Sequence, residues 1–176
     1  KTAYEIYQCD WSSDVCSSDL DDIPGLRRIL KSHKVIAVVG LSADWFRPSY
    51  FAAKYMQQHG YRIIPVNPRY SSQADNTILG QRCYAALRDI PEAVDMVDVF
   101  RRSEDVLPIA QEAVAIGAKV LWQQLGVHNA QAVQLAEAAG LECVTDRCVK
   151  IEHARLFGGL GWVGVNTHVI SAKRPL

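Results

Sequence analysis

Binding an anionic group takes backbone that can come close, hydroxyl and N–H donors, and a fixed positive charge. GLSADWFRPS, residues 40–49, supplies all of these in ten positions. Gly40 lets the backbone approach a ligand, Ser42 and Ser49 carry hydroxyl donors, and Arg47 brings a guanidinium. Pro48 suits the first turn of a helix. A helix N-terminus offers unpaired N–H groups and the positive end of the macrodipole to an anion. A second segment, VNPRY at 66–70, bears on which anion is bound. An NAD site carries Asp or Glu near the end of its second strand, to hold the ribose hydroxyls. Asn67, Pro68 and Arg69 stand there instead, and an arginine in that place suits a phosphate monoester.

Two cofactors carry such a phosphate on an adenosine ribose, coenzyme A and NADP. The second and third glycines of the dinucleotide fingerprint are missing after Gly40, which weighs against NADP. The literal G-x-G-x-x-G of the chain, Gly159, Gly161 and Gly164 in GLGWVG, has no strand before it and too little chain after it for a βαβ unit. It reads as a glycine-rich C-terminal extension folding back over the domain on Phe157 and Trp162. His33, His59, His128, His153 and His168 have no metal-ligand spacing, so no metal site is expected. Nor is there a carboxylate pair, a Ser-His-Asp arrangement or a Walker loop. Glu152, His153 and Arg155 read as a surface ion cluster. Cys148 falls at the ligand-bearing edge of the sheet, where Arg147 and Lys150 are expected to favour its thiolate.

Strands alternating with helices must position these residues. KVIAVVG is a continuous apolar run, the pattern of a strand buried on both faces of a parallel sheet. YRIIPVN, VDMVDVF, AKVLWQQ and LECVTD are the further strands. Before the first strand, a short helix from Ile23 places Leu26, Ile29 and Leu30 on one face. The helix RPSYFAAKYMQQHG buries Phe51, Ala52, Tyr55 and Met56. A third buries Ile109, Ala110, Ala113 and Val114, and a fourth runs from the N-cap Asn129 to Gly140. The spacing predicts an α/β fold, a Rossmann-like doubly wound parallel sheet of about five strands. Asp98 inside the third strand points to an edge position for it, hence the order 3-2-1-4-5.

Residues 1–20 stand apart. CDWSSDVCSSDL has no apolar period of 2 or 3.6, and Cys9 and Cys16 form no C-x-x-C pair. Asp10–Leu20 and Lys1–Ile6 back-translate into codons resembling the two ends of a common sequencing-library adapter, separated by a stretch the length of a sample index. We therefore read 1–20 as translated adapter and 21–176 as a single domain. Setting 1–20 aside removes Lys1 and the acids Glu5, Asp10, Asp14 and Asp19, leaving about three net positive charges. That balance does not point to nucleic acid. The three remaining cysteines, Cys83, Cys143 and Cys148, form no disulfide framework and fit a reducing, cytoplasmic setting. The run Val35–Val39 is far too short to span a membrane.

The segments IAVVGLS, RPSYFAAKY, GYRIIPVNP, ILG, VDMVDVFRRSEDV, GAKVLWQQLGV and DRCVKIEHARL, in this order, resemble the small single-domain coenzyme A-binding proteins. These are relatives of the N-terminal domain of the succinyl-CoA synthetase α subunit. The likeness is collinear over 35–156 and implies a Rossmann-like fold that binds coenzyme A. It implies that Gly40, Leu41 and Ser42 form the phosphate-facing turn and that Asn67, Pro68 and Arg69 meet the adenosine end. It further implies that Phe100, Arg101, Gln124 and Gly126 line the same cleft. Gln124 departs from the synthetase, which has an acidic residue there, and this counts against surviving ligase chemistry. The expected function is therefore binding of coenzyme A or an acyl-CoA at the carboxyl edge of the sheet, without catalysis of its own. The alternatives are an NADP-dependent oxidoreductase and a regulatory module that binds a protein partner.

Deleting residues 1–20 is expected to leave the thermal midpoint and ligand affinity unchanged. A loss of more than about 1 kcal/mol in urea denaturation would exceed what an unpacked surface segment contributes and would refute the reading.

Overall fold

The computed structural model describes residues 23–158; the segment 1–20 and the glycine-rich extension with Trp162 lie outside the described residues. The chain begins with α1 (Ile23–Ser32), β1 (Val35–Val39), α2 (Pro48–Gln58) and β2 (Arg62–Val66). A one-turn helix α3 (Pro68–Ser71) and a small antiparallel hairpin of β3 (Thr77–Ile78) and β4 (Gln81–Arg82) follow. Then come β5 (Met96–Val99), α4 (Val106–Ala115), β6 (Val120–Gln123), α5 (Ala130–Ala138), β7 (Glu142–Val144) and α6 (Val149–Phe157).

The five longer strands form one parallel sheet in the order β2-β1-β5-β6-β7. Both faces are covered, which is why these strands read as unbroken apolar runs. Alternate residues go to opposite sides, as the pleat requires. Ala37, Val39, Val97, Val99 and Leu121 meet Ala110 and Ala113 of α4 and Ala132 and Ala136 of α5. Ile36, Val38, Met96, Val120 and Trp122 meet Leu26, Ile29 and Leu30 of α1, Ala52 and Met56 of α2, and Val149 of α6. Phe51 is not part of the buried stripe of α2. It is 44% exposed, and the stripe is Ser49, Ala52, Ala53 and Met56.

The strand order corrects the expectation drawn from Asp98. Counting sheet strands along the chain it is 2-1-3-4-5, and β5 lies in the middle, between β1 and β6, instead of at an edge. Asp98 is paired across the sheet with Val38 and Trp122 and is 2% exposed. Burying a carboxyl costs free energy unless a partner meets it. Gln124 is that partner, its Nε2 donating to Asp98 Oδ1 at 2.7 Å. The edge falls to β2, where Pro65, with no N–H to give, is tolerated. Its outer side is closed by Tyr84, whose N–H donates to the Pro65 carbonyl at 2.9 Å while its own carbonyl accepts from Asn67 at 2.9 Å.

The sheet changes direction between β1 and β5, and the chain leaves β1 through Gly40 with φ +88°. A Cβ at Gly40 would stand 2.4 Å from the Phe100 carbonyl oxygen, whereas one at Gly60, with φ +84°, meets nothing within 4 Å. Gly60→Ala is therefore expected to cost about 1 kcal/mol from backbone strain alone, and Gly40→Ala about 3 kcal/mol because the clash adds to the same strain. Urea denaturation of the two variants, side by side, measures the difference.

Candidate functional site

In a doubly wound sheet the crevice opens where successive connections leave on opposite faces, at the carboxyl ends of the strands. A cleft of about 740 Å³ lies there, within the range of small-molecule sites. The turn after β1 contributes Gly40, Ser42 and Asp44, and the start of α2 contributes Arg47, Pro48 and Ser49. The end of β2 and α3 supply Asn67, Pro68, Arg69 and Tyr70; the turn after β5 supplies Phe100 and Arg101. Gln124, Leu125 and Val127 come from the turn after β6, and Cys148 and Ile151 from the start of α6.

Most residues singled out from the sequence thus share one cleft, but Leu41 and Gly126 do not line it. Leu41 is fully buried in the core under α2, and Gly126 faces the neighbouring loop, its N–H donating to Asp146 Oδ1 at 2.7 Å. Two of the expected polar groups also bond within the protein. Ser49 is 5% exposed, and its Oγ accepts the Ser42 N–H at 3.2 Å. Asn67 caps α3 by accepting the Arg69 N–H at 3.1 Å, and its Nδ2 donates to the Leu41 carbonyl at 2.9 Å. Both shape the turns that carry other groups. Ser42 Oγ accepts from the Asp44 N–H at 3.1 Å and lies 3.2 Å from the Tyr70 hydroxyl, so a ligand meets it as part of a small network.

The charges are distributed unevenly. Arg47, Arg69 and Arg101 all line the cleft, and among the described residues none of them holds a carboxylate; Asp44 is the one acid in the lining. Elsewhere Arg28, Arg62, Arg88, Arg102, Arg147 and Arg155 each pair with a Glu, while Arg27 and Arg82, outside the cleft, hold no carboxylate among the described residues. Arg47 and Arg69 instead lie over Phe46 and Tyr70, at 5.6 and 5.7 Å from the ring centres. Arg47 is also the N-cap of α2, with no side-chain cap, so the positive end of that helix faces the cleft. Three uncommitted guanidinium groups and a helix start suit a ligand carrying several phosphates.

The sequence missed α6 and with it part of the site. This helix brings Cys148, its N-cap, and Ile151 to the cleft. Trp122 fixes the approach, its Nε1 donating to the Arg147 carbonyl at 2.7 Å. The apolar spacing of Val149, Leu156 and Phe157 was the available signal. The expected lowering of the Cys148 thiol by Arg147 and Lys150 is overturned. Burial dominates and pushes the thiol up, outweighing backbone hydrogen bonds from Ile151 and Lys150 and the charge of Lys150. Arg147 is occupied by Glu152 at 3.3 Å. Nor are Glu152 and His153 a surface cluster: they are 3% and 7% exposed. His153 packs among Tyr55, His59, Tyr61 and Phe157, and burial, then His59 and Lys34, hold its imidazole below the ordinary range. Among the described residues no group of three or more His, Cys, Asp or Glu is placed to hold a metal ion.

The fold and cleft define a doubly wound domain with an arginine-lined crevice, and comparison with known proteins narrows this to one family. Residues 34–154 match the family described as CoA binding domain, and the chain belongs to it. It is 40% identical over 129 residues to the protein YneT of Bacillus subtilis (strain 168), covering 73% of this chain and 92% of that one. It is 33% identical over 99 residues to the acetate–CoA ligase (ADP-forming) II of Archaeoglobus fulgidus, covering 55% of this chain and 14% of the ligase. Among solved structures, a hypothetical protein from Pyrococcus horikoshii OT3 superposes with a TM-score of 0.75 at 36% identity, covering 83% and 99% of the two chains.

Asp98, beneath this site, gives a pH signature. Burial raises its carboxyl to about 7, against a smaller opposing effect of the Gln124 hydrogen bond. An unfolded Asp titrates near about 4. Between those values the native state holds a proton that the unfolded chain has released, so stability falls as pH rises from 4 to 7 and is level above. Asp98→Asn is expected to remove that slope. Urea midpoints of both proteins from pH 4.5 to 8 test it, and parallel curves would refute the assignment.

Proposed function

We propose that the cleft binds coenzyme A or an acyl-CoA, with the diphosphate on the turn after β1 and the start of α2, and the ribose phosphate on Arg69. Membership of the CoA binding domain family supports the coenzyme. The observation that carries the arrangement is the set of three unpaired arginines, Arg47, Arg69 and Arg101, around a helix start. Coenzyme A presents two separate anionic groups, a diphosphate and a phosphate monoester. Arg69 sits after β2, where an NAD site would carry an acid. Arg101 packs beside Gly40, and Arg47 lines the same cleft.

The function so read is binding of a small molecule. No helix among the described residues is long and apolar enough to cross a membrane. The free cysteines Cys83, Cys143 and Cys148 accord with a reducing compartment such as the cytoplasm. The Archaeoglobus ligase that shares part of this sequence acts on acetate and coenzyme A, as its name states, and gives the reading a chemical context. Binding to a protein partner stays an alternative role for the same domain.

Calorimetry with coenzyme A, dephospho-coenzyme A and NADP separates the readings. Coenzyme A is expected to bind at least about tenfold more tightly than the dephospho form, the worth of one exposed charge-assisted hydrogen bond. Arg69→Ala should abolish that difference while leaving dephospho-coenzyme A binding unchanged. Equal affinities for the two in the parent protein would remove Arg69 from the site, and tighter binding of NADP would turn the reading toward an oxidoreductase.

A further inference from the structure

The lining of the cleft changes character from one end to the other. Strand order gives lateral position, because neighbouring strands lie about 5 Å apart. At the ends of β2, β1 and β5, the turns and the start of α2 bring Arg69, Tyr70, Ser42, Arg47 and Arg101. Past β5 the turn after β6 brings Gln124, Leu125 and Val127, and α6 brings Cys148 and Ile151. None of these five is an acidic or basic residue. Gln124 commits its Nε2 to Asp98 at 2.7 Å. Leu125 is 41% exposed, an aliphatic side chain on the cleft wall open to solvent. The cations nearest to this end are directed elsewhere. Arg147 and Arg155 pair with the buried Glu152, Lys150 lies over the Tyr55 ring at 5.8 Å from its centre, and His128 is outside the lining. An anionic group placed here would lose water without gaining a partner. An aliphatic group would cover Leu125, Val127 and Ile151 and gain from their burial.

Resting on the reading that the arginine end holds the phosphates of coenzyme A, we propose that the end formed by β6 and α6 is an acyl subsite, and that the ligand class is an uncharged aliphatic acyl-CoA in preference to free coenzyme A or a dicarboxylic acyl-CoA. From the turn after β1 to the turn after β6 is two strand spacings, about 10 Å. An extended pantetheine arm is longer than that, so a thioester whose diphosphate lies on the first turn reaches Leu125 and Ile151. The ligand matches the cleft end for end, polyanion on guanidinium groups and aliphatic tail on aliphatic side chains. Butyryl and succinyl groups have the same number of carbons and differ at the last one, a methyl in the first and a carboxylate in the second. The β6 end meets the methyl with apolar surface and offers the carboxylate no arginine. Selectivity of this kind comes as much from the unpaired charge of the wrong ligand as from contacts to the right one.

The test is calorimetry of the full chain with coenzyme A, acetyl-CoA, butyryl-CoA and succinyl-CoA. Butyryl-CoA is expected to bind about tenfold more tightly than acetyl-CoA, its two extra methylenes counting about threefold each. Succinyl-CoA is expected to bind at least about tenfold more weakly than butyryl-CoA, because its carboxylate is left unpaired. Leu125 lies on an exposed loop, so its replacement requires no repacking of the core. Leu125→Ala should reduce the preference for butyryl-CoA over acetyl-CoA to about threefold. Leu125→Lys supplies the missing cation and should invert the order of succinyl-CoA and butyryl-CoA. Each comparison is a ratio within one variant, so a general weakening of binding cancels. Butyryl-CoA binding no more tightly than acetyl-CoA, or succinyl-CoA as tight as butyryl-CoA in the parent protein, would overturn the proposal. So would an order unchanged in Leu125→Lys. Failure of coenzyme A and all three thioesters to bind the parent protein would instead bring down the reading on which the proposal rests.

Discussion

At the end of β1 there is no room for a side chain. Gly40 turns in a left-handed conformation with the Phe100 carbonyl where a Cβ would stand, and Arg101 Cδ packs on the other side of that position at 3.2 Å. This contact locks the carboxyl ends of β1 and β5 together at the point where the sheet changes direction. The turn after β1 therefore departs toward α2, while the turn after β5 departs toward α4. The space between the two departures is the cleft. Every group in it is placed relative to this junction. Arg101 is brought in by its contact with Gly40, and Ser42 is tied to Ser49 and Tyr70. Arg69 is held at the start of α3 by the cap from Asn67.

The residues around the cleft divide into those that build it and those left available to a ligand. Ser49 and Asn67 use polar atoms to fix backbone turns, and Leu41 contributes only through the core. The guanidinium groups of Arg47, Arg69 and Arg101 have no carboxylate among the described residues to neutralise them. Six other arginines of the same protein do have one. Surface ion pairs add little stability, and Arg27 and Arg82 lack one too, so the informative fact is that three such arginines converge on one cleft. Positive charge withheld from internal pairing and gathered at one sheet edge raises the local concentration of anionic ligands.

A second theme is the polar layer beneath the site. Asp98 and Gln124 are buried and hydrogen-bonded to each other, Gln123 at the end of β6 is buried too, and Cys148 at the start of α6 lines the same cleft as Gln124. An apolar pair would pack there at less cost. The sheet is thereby joined to the cleft: the central strand supplies the carboxyl, and Gln124 in the turn after β6 holds it while lining the cleft. That the family member at hand carries Gln124 where the synthetase has an acid fits this layer, since two carboxyls in contact with no cation between them would repel.

The sequence by itself determined the βα alternation, the parallel sheet and the family. Apolar runs such as Val35–Val39 are unbroken because both faces are covered, and α1, α2, α4 and α5 announce themselves by their apolar stripes and their stops, while α3 and α6 do not. It also singled out Gly40, Arg47, Arg69, Arg101 and Cys148, because glycine after a strand, arginine after the next and thiol after the last are local features of the chain. What only the tertiary structure decided is adjacency. Asp98 suggested an edge strand, since a charged residue in a run gives no hint of a partner 26 positions away. The fold brings Gln124 to it and so allows β5 to occupy the centre. Nor could the sequence say that Ser49 and Asn67 would fix backbone turns, or that burial would outweigh the cations flanking Cys148. Hydrogen-bond satisfaction and desolvation depend on neighbours distant in the chain, and those neighbours exist only once the sheet has closed its order.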